Sequence, residues 1–175
     1  MLLDDPGAVR RTVRRLLARS ARADMAIARI RLAALRFQRR DLSRVRLRLL
    51  VGRLDMDTVA GAPGAAVFEA GRKAELERLR GFLRSGRVQV RAAGMVRWDP
   101  DFSVFRQAGD GEAAGVLLLG SHRFDVPDPG GVPALCGLVR HRGALRCARE
   151  RFDRLWAGGY DVGPVAEEML DWLLG

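Results

Sequence analysis

Two carboxylates and one imidazole are the side chains of this sequence whose types and spacing could support chemistry. Asp99 and Asp101 flank Pro100, and His122 follows further along the chain. Paired carboxylates can hold a divalent metal ion, which activates water for attack on a phosphodiester. An acidic pair in a loop can equally be solvated or cap a turn, because aspartates readily hydrogen-bond nearby backbone. The sequence leaves both interpretations open.

A second group, Ser121, His122 and Arg123, could bind a phosphate without catalysis. Hydroxyl, imidazole and guanidinium groups can all donate hydrogen bonds to phosphate oxygens. The other candidates for phosphate or nucleic-acid contact are Arg97, Trp98 and Arg106. No zinc ligand set and no cofactor motif is indicated, since the chain carries neither a zinc-type spacing of cysteines and histidines nor a glycine-rich phosphate loop.

The three tryptophans differ in what surrounds them. Trp98 lies between Arg97 and Asp99, where an aromatic ring could stack on a base of a single-stranded nucleic acid, although packing is the more ordinary role. Trp156 and Trp172 fall in apolar helical stripes, so we expect both in a core or an interface.

The candidate residues need a sheet edge to bring them together. Residues 101–106 and 113–120 are predicted to be antiparallel strands, separated by the turn-forming sequence QAGDGE. The apolar run from Val116 to Leu119 is typical of a strand buried on both faces. It ends at Gly120 and Ser121, which places the polar candidates at the edge of the sheet.

Elements of both kinds are predicted along the rest of the chain. Asp4 or Asp5 can cap a first helix that has Pro6 in its first turn and carries arginines on its polar face. Further strands are predicted at 24–30, 46–54 and 88–92, and helices at 69–84, 143–156 and 165–174. We also predict a helix or helical turn at 31–45, a loop at 60–66, and a strand or irregular segment at 132–139. This alternation predicts an α/β fold, with a mostly parallel mixed sheet of about five to six strands and helices on both faces. We expect one domain over residues 1–175.

Composition favours an anionic partner. The 175 residues carry a formal net charge of +10, and Lys73 is the only lysine among the 31 basic residues. A basic surface of this size is typical of nucleic-acid binding. Codon usage in a GC-rich genome could also produce the arginine bias without any binding role, so both explanations stand.

Compartment is inferred from three features. Cys136 and Cys147 have no disulfide or metal-ligand spacing, which favours free thiols in a reducing compartment. No apolar run reaches the roughly 20 residues of a membrane span. The first residues, with Asp4 and Asp5 ahead of the arginines, do not resemble a signal peptide. We expect a cytoplasmic protein without membrane contact.

The order of several short motifs is familiar. These are LLVGRLD at 49–55, LRSGRVQVR at 83–91, the Gly-Ser pair at 120–121 and FDRLW at 152–156. Together, over about Arg10 to Val162, they resemble the phospholipase D-like superfamily in its nuclease and helicase-associated members. The resemblance implies a phospholipase D-like domain and a homodimer joined near Ser121, because in that family a complete site takes one motif from each of two domains.

The sequence departs from the catalytic pattern of that family, His-x-Lys-x4-Asp. With the strand FSVF aligned, Asp99 falls at the position of the histidine nucleophile, Asp101 at the lysine and Arg106 at the aspartate. Carboxylates in the first two positions would repel a phosphodiester instead of stabilising its transition state. Ser121 matches the family serine, whereas Arg123 replaces an asparagine. The hydrolytic site is therefore expected to be absent.

Three functions follow as hypotheses. The first is a catalytically degenerate phospholipase D-like domain that binds nucleic acid or a protein partner, such as a helicase or nuclease subunit, in a nuclease, helicase or defence system. The second is a diverged metal-dependent phosphodiesterase or nuclease that uses Asp99, Asp101 and His122. The third is a structural adaptor without nucleic-acid binding, which docks through the apolar helix at 165–174.

Overall fold

The computed structural model describes residues 2–3, 5–31, 42, 44–55, 70–94, 101–107, 115–120 and 136–175. The strands are β1 (Leu2–Leu3), β2 (Ser20–Arg31), β3 (Arg46–Asp55), β4 (Val88–Ala92), β5 (Phe102–Gln107), β6 (Val116–Gly120), β7 (Cys136–Val139) and β8 (Tyr160–Asp161). The helices are α1 (Pro6–Arg19), α2 (Ala70–Arg84), α3 (Arg142–Ala157) and α4 (Gly163–Leu174). The chain is an α/β protein with one mixed sheet.

Helix α1 begins and ends where its sequence dictates. The Asp5 carboxylate accepts hydrogen bonds from the backbone N–H groups of Gly7 at 3.1 Å and Ala8 at 2.7 Å, so Asp5 is the N-cap. These two backbone hydrogen bonds, that from Ala8 first, hold the pKa of Asp5 below its ordinary value. The helix ends at Ser20, whose hydroxyl donates to the Leu16 carbonyl at 2.7 Å. The cap predicted at Asp4 or Asp5 is therefore Asp5.

The sheet has more strands, and more antiparallel pairings, than the sequence predicted. Its strand order is β1-β7-β6-β5-β2-β3-β4-β8. Within the described residues, β2 pairs in parallel with β3 and β3 with β4, whereas the other five pairings are antiparallel. The prediction of a mostly parallel sheet of five to six strands is wrong. The antiparallel pairing of β5 with β6 agrees with the predicted hairpin.

The sheet divides its side chains between two hydrophobic cores. Because alternate residues of a strand point to opposite faces, Met25 and Leu49 belong to one core while Ala26 and Leu50 belong to the other. Helices α1, α2 and α4 pack on the first face, and helix α3 packs on the second. The helices are thus divided unequally between the two faces.

Some strands begin or end at residues other than those predicted from the sequence. Strand β2 begins at Ser20, not at residue 24, because Ala21 and Ala23 alternate with polar residues that lie on the face covered by α3. The sequence showed this stretch as a polar run. The segment at 132–139 contains a strand, β7, at Cys136–Val139. The helix predicted at 31–45 falls almost entirely outside the described residues, as does the loop at 60–66.

None of the helices in the described ranges is both long enough and apolar enough to cross a membrane.

Candidate functional site

Most of the residues selected from the sequence lie outside the described residues. They are Arg97, Trp98, Asp99, Ser121, His122 and Arg123. Asp101 and Arg106 are described and lie at opposite ends of β5, about 16 Å apart along an extended strand. The structure therefore does not bring Arg106 to the sheet edge at which Asp101 lies.

Asp101 holds the ends of three strands together. Its carboxylate Oδ1 accepts a hydrogen bond from the backbone N–H of Ala28 in β2 at 2.7 Å. Its carbonyl accepts one from the backbone N–H of Gly120 in β6 at 2.9 Å. The carboxylate of Asp101 therefore binds the backbone of a strand distant in sequence, which differs from the solvated and turn-capping roles considered for the acidic pair. The metal-site interpretation also needs Asp99 and His122, and it stays a prediction.

A buried thiol lies near the same edge. Burial, and to a smaller extent the negative charge of Asp101, raise the pKa of Cys136 to about 11. Both influences act against the thiolate, which is the reactive form of cysteine. Cys147, in contrast, is exposed on α3.

This difference predicts the reactivity of the two thiols. In the native protein at pH 8, iodoacetamide should modify Cys147 and leave Cys136 unmodified, because Cys136 is both buried and protonated. Intact mass measured over time should show one added group in native buffer and two in denaturant. Modification of both thiols at comparable native rates would contradict the burial of Cys136.

A buried charge cluster occupies the other end of the sheet, on the face covered by α3. We refer to Asp24, Arg22, Arg48 and Arg106 as the Asp24 cluster. The Asp24 side chain is 2% exposed, and its Oδ1 accepts hydrogen bonds from Nε of Arg48 at 2.7 Å and Nε of Arg22 at 3.1 Å. Arg106 lies within ion-pair distance of the second oxygen, with its Nη2 at 3.9 Å. The pairing of β2 with β3 and β5 brings these side chains together.

Arg48 connects the cluster to α3. One of its terminal nitrogens donates to Asp153 at 2.6 Å, and its guanidinium carbon lies 4.7 Å from the centre of the Phe152 ring and 5.2 Å from that of Trp156. These are distances of a cation–π contact. Burial acts to lower the pKa of Arg48, but hydrogen bonds and charge attraction from Asp24 and Asp153 outweigh it and raise the pKa. Arg48 therefore pairs with two carboxylates and contacts two aromatic rings.

Arg106 is held differently. Burial, followed by repulsion from Arg22, lowers the pKa of Arg106, and Arg149 and Arg48 add further repulsion against the attraction of Asp24. Its Nε is buried and makes no hydrogen bond within the described part of the chain. Arg106 is therefore a cation of the cluster that Asp24 neutralises only in part, at 3.9 Å and without a hydrogen bond.

The sequence contains one signal for the cluster, the alternation of polar residues along two strands. Ser20, Arg22 and Asp24 are alternate residues of one strand, and Arg46 and Arg48 are alternate residues of the next. Polar residues at every second position, facing the same side of a sheet, indicate a shared polar surface. Charged residues of this kind are usually solvated, so their burial under α3 could not be recognised from spacing.

A second basic surface lies on α1, on the opposite face of the sheet. Helix α1 carries five arginines and no acidic residue. Arg11 pairs with Asp5 at 3.4 Å. Arg10, Arg15 and Arg19, which we refer to as the α1 arginine face, are exposed and form no ion pair with any carboxylate of the described residues.

The arginines of α2 provide a contrast. Arg80 and Arg84 both contact the carboxylate of Asp171 on α4, at 2.7 and 3.1 Å, and Arg84 also contacts Glu167 at 3.4 Å. These two arginines are thus neutralised within the fold. The α1 arginine face, in contrast, remains exposed to solvent.

The structure distinguishes the two tryptophans that are predicted to lie in a core or an interface. Trp156 is half-buried and packs beside Phe152, with ring centres 5.6 Å apart. Trp172 is 65% exposed, and Val165, two helical turns earlier on α4, is 51% exposed. Helix α4 packs Ala166 and Leu170 against the first core. Its other large apolar side chains, Val165 and Trp172, lie outside the face that the fold covers.

Comparisons with known proteins inform the fold. No protein-family model matches the chain, and no curated protein sequence matches it. Among solved structures the chain is similar to TrmBL2, an archaeal chromatin protein whose structure was described as showing a novel mode of DNA binding. The TM-score is 0.55 at 9% sequence identity, and the match covers 93% of this chain and 54% of TrmBL2. The chain thus spans about half the length of that protein, and the likeness concerns the fold.

Proposed function

We propose that this chain is a catalytically degenerate phospholipase D-like domain that binds the phosphate backbone of nucleic acid. The observation that carries the proposal is the α1 arginine face, where three exposed guanidinium groups have no carboxylate partner in the described residues. Guanidinium groups bind phosphate oxygens through paired hydrogen bonds. Contacts of this kind provide affinity without sequence readout.

Two further observations support the proposal. The net charge of +10 attracts polyanions at long range and accelerates their association. The fold is shared with part of TrmBL2, a protein described as binding DNA, and this makes nucleic acid the first anion to test. The loss of the family's His-x-Lys pattern favours binding without hydrolysis. The homodimer and an accessory role beside a helicase or nuclease subunit belong to the same proposal.

The proposal is tested by binding of labelled duplex DNA across a salt series from 50 to 200 mM. The triple variant Arg10→Gln, Arg15→Gln, Arg19→Gln should bind at least roughly tenfold more weakly than wild type at the lower salt. Its log–log salt slope should be shallower by about 3, because each lost phosphate contact removes close to one released counterion. Fluorescence anisotropy measures both quantities, and sizing of the same sample tests the dimer.

A matched variant shows whether affinity depends on the position of the arginines or on the total charge of the protein. Arg142→Gln, Arg146→Gln, Arg154→Gln removes three exposed arginines from α3, on the other face of the sheet, and should retain most of the affinity. Equal losses of affinity in the two triple variants would mean that binding depends on the total charge and not on the α1 arginine face. No binding of DNA or RNA by wild type at low salt would overturn the proposal.

The structural adaptor remains a second candidate because of one observation. Trp172 and Val165 expose apolar surface on the same side of α4, and exposed aromatic residues are enriched where proteins meet. Absence of nucleic-acid binding together with a stable protein complex on co-purification would favour this function. A metal-dependent phosphodiesterase would instead show cleavage that requires a divalent ion and is lost in Asp101→Ala.

A further inference from the structure

A cleft of about 400 Å³ lies beside the C-terminal half of α2. Ligand pockets in proteins begin at about this size. Its helical residues recur at the spacing that places side chains on one side of a helix, whereas α2 contacts α4 from a different side. We refer to this space as the Phe82 cleft, and the described residues that line it are Arg78, Gly81, Phe82, Ser85 and Arg87.

The way in which α2 ends builds one wall of the cleft. Gly86 has a φ of +67°, and its backbone N–H donates to the Leu83 carbonyl at 2.9 Å. The backbone N–H of Arg87 donates to the Phe82 carbonyl at 3.1 Å. These two hydrogen bonds form a Schellman motif, which favours glycine at the left-handed position and turns the chain back across the helix end. The motif therefore places Arg87 beside Phe82 before any ligand binds.

The interior of the cleft combines an aromatic ring, open space and a positive charge. Phe82 is half-buried, so that it packs against the first core and also lines the cleft. A Cβ built at Gly81 would meet no atom within 4 Å, so the space beside the ring is empty. Arg78 is exposed and forms no hydrogen bond or ion pair with any residue that the structure describes. The cleft thus joins a stacking surface to an available guanidinium group.

We propose that the Phe82 cleft binds one unpaired base of a single-stranded nucleic acid. Every base can stack on an aromatic ring, and guanidinium groups can stack on bases or bind the phosphates beside them. The charge of Arg78 is opposite to that of the backbone on either side of the base. A base inside a duplex is held between its neighbours and does not enter a cleft of this kind.

The inference rests on the proposed function and names the form of nucleic acid. Helices α1 and α2 pack on the same face of the sheet, so a strand held by the α1 arginine face lies on the side of the molecule that carries the cleft. Contacts with the phosphate backbone are available in both single strands and duplexes. The base in the cleft is an additional contact for single strands alone.

The test fills the cleft and measures binding of a labelled single strand of about 15 thymidines, and of a duplex of equal length, by fluorescence anisotropy. Gly81→Leu places a side chain in the empty space and should weaken single-strand binding roughly fivefold or more. Duplex binding should change by less than about twofold. Gly81→Ala is the matched variant, because it also removes a helical glycine but leaves most of the cleft empty, and it should bind as wild type does.

A second variant removes the ring without filling the cleft. Phe82→Leu keeps an apolar side chain against the first core but loses the aromatic surface, so it should show the same selective loss for single strands. Thermal unfolding verifies that both variants fold. Unchanged single-strand binding in Gly81→Leu and Phe82→Leu, or equal losses for single strands and duplexes, would overturn the site. Binding of free thymidine monophosphate that Gly81→Leu abolishes, with unchanged single-strand binding, would assign the cleft to a free nucleotide instead.

Failure of the cleft and failure of the proposed function give different results. If the α1 arginine face does not bind nucleic acid, the triple variant of α1 binds as wild type does while Gly81→Leu still weakens binding of single strands. If the cleft takes no base, the triple variant weakens binding of both ligands while Gly81→Leu changes neither. Absence of binding of both ligands by wild type would overturn both.

Discussion

Replacing Asp24 with asparagine should destabilise the fold by about 3 kcal/mol. Asparagine preserves the shape of the side chain but removes the charge that neutralises Arg22 and Arg48 and attracts Arg106. The arginines would then remain together under α3 with only the partial compensation of Asp153. Leaving a buried charge uncompensated is among the costliest single changes that a fold can suffer. Urea unfolding followed by circular dichroism measures the loss.

The matched change is Asp171→Asn on α4. Asp171 also contacts two arginines, Arg80 and Arg84, but it lies at the surface, where water and salt screen the interaction. Its substitution should cost much less than that of Asp24. Raising sodium chloride to 0.5 M should remove the remaining difference in unfolding free energy between Asp171→Asn and wild type. The same salt should leave most of the stability loss of Asp24→Asn. Similar losses in the two variants would show that Asp24 is not isolated from solvent.

Secondary structure was largely readable from the sequence because it depends on local pattern. Leu47, Leu49 and Val51 recur at every second position, and the strand they predicted is present as β3. The direction of strand pairing was not readable in the same way. Strand β2 lies between β3 and β5, parallel to one and antiparallel to the other, and this depends on connections between distant parts of the chain.

The same limit explains how the Asp24 cluster was missed. Arg48 and Arg106 reach Asp24 only because β3 and β5 lie on either side of β2. The sequence directed attention to turns and strand ends, where functional residues commonly lie. Arg106 was selected for its alignment with a family motif, and the structure places it in a different charged environment from the one the alignment suggested.

Helix α3 covers the cluster, and Phe152 is the larger of its two buried side chains. Phe152 is fully buried in the second core, meets Phe102 edge to face with ring centres 6.4 Å apart, and stacks on Trp156. Its ring also faces the guanidinium of Arg48 at 4.7 Å. The core beneath α3 and the orientation of Arg48 therefore depend on the same aromatic ring.

Phe152→Ala should accordingly cost about 3–5 kcal/mol, since the substitution removes apolar burial and leaves a cavity that rigid strands cannot fill. Trp172→Ala is the matched change, because Trp172 is also a large aromatic residue on a helix but is 65% exposed. It should alter stability by about 0.5 kcal/mol or less. Urea unfolding of both variants compares them directly. A loss at Trp172 as large as that at Phe152 would indicate that α4 is covered in solution, as the predicted interface role of Trp172 requires.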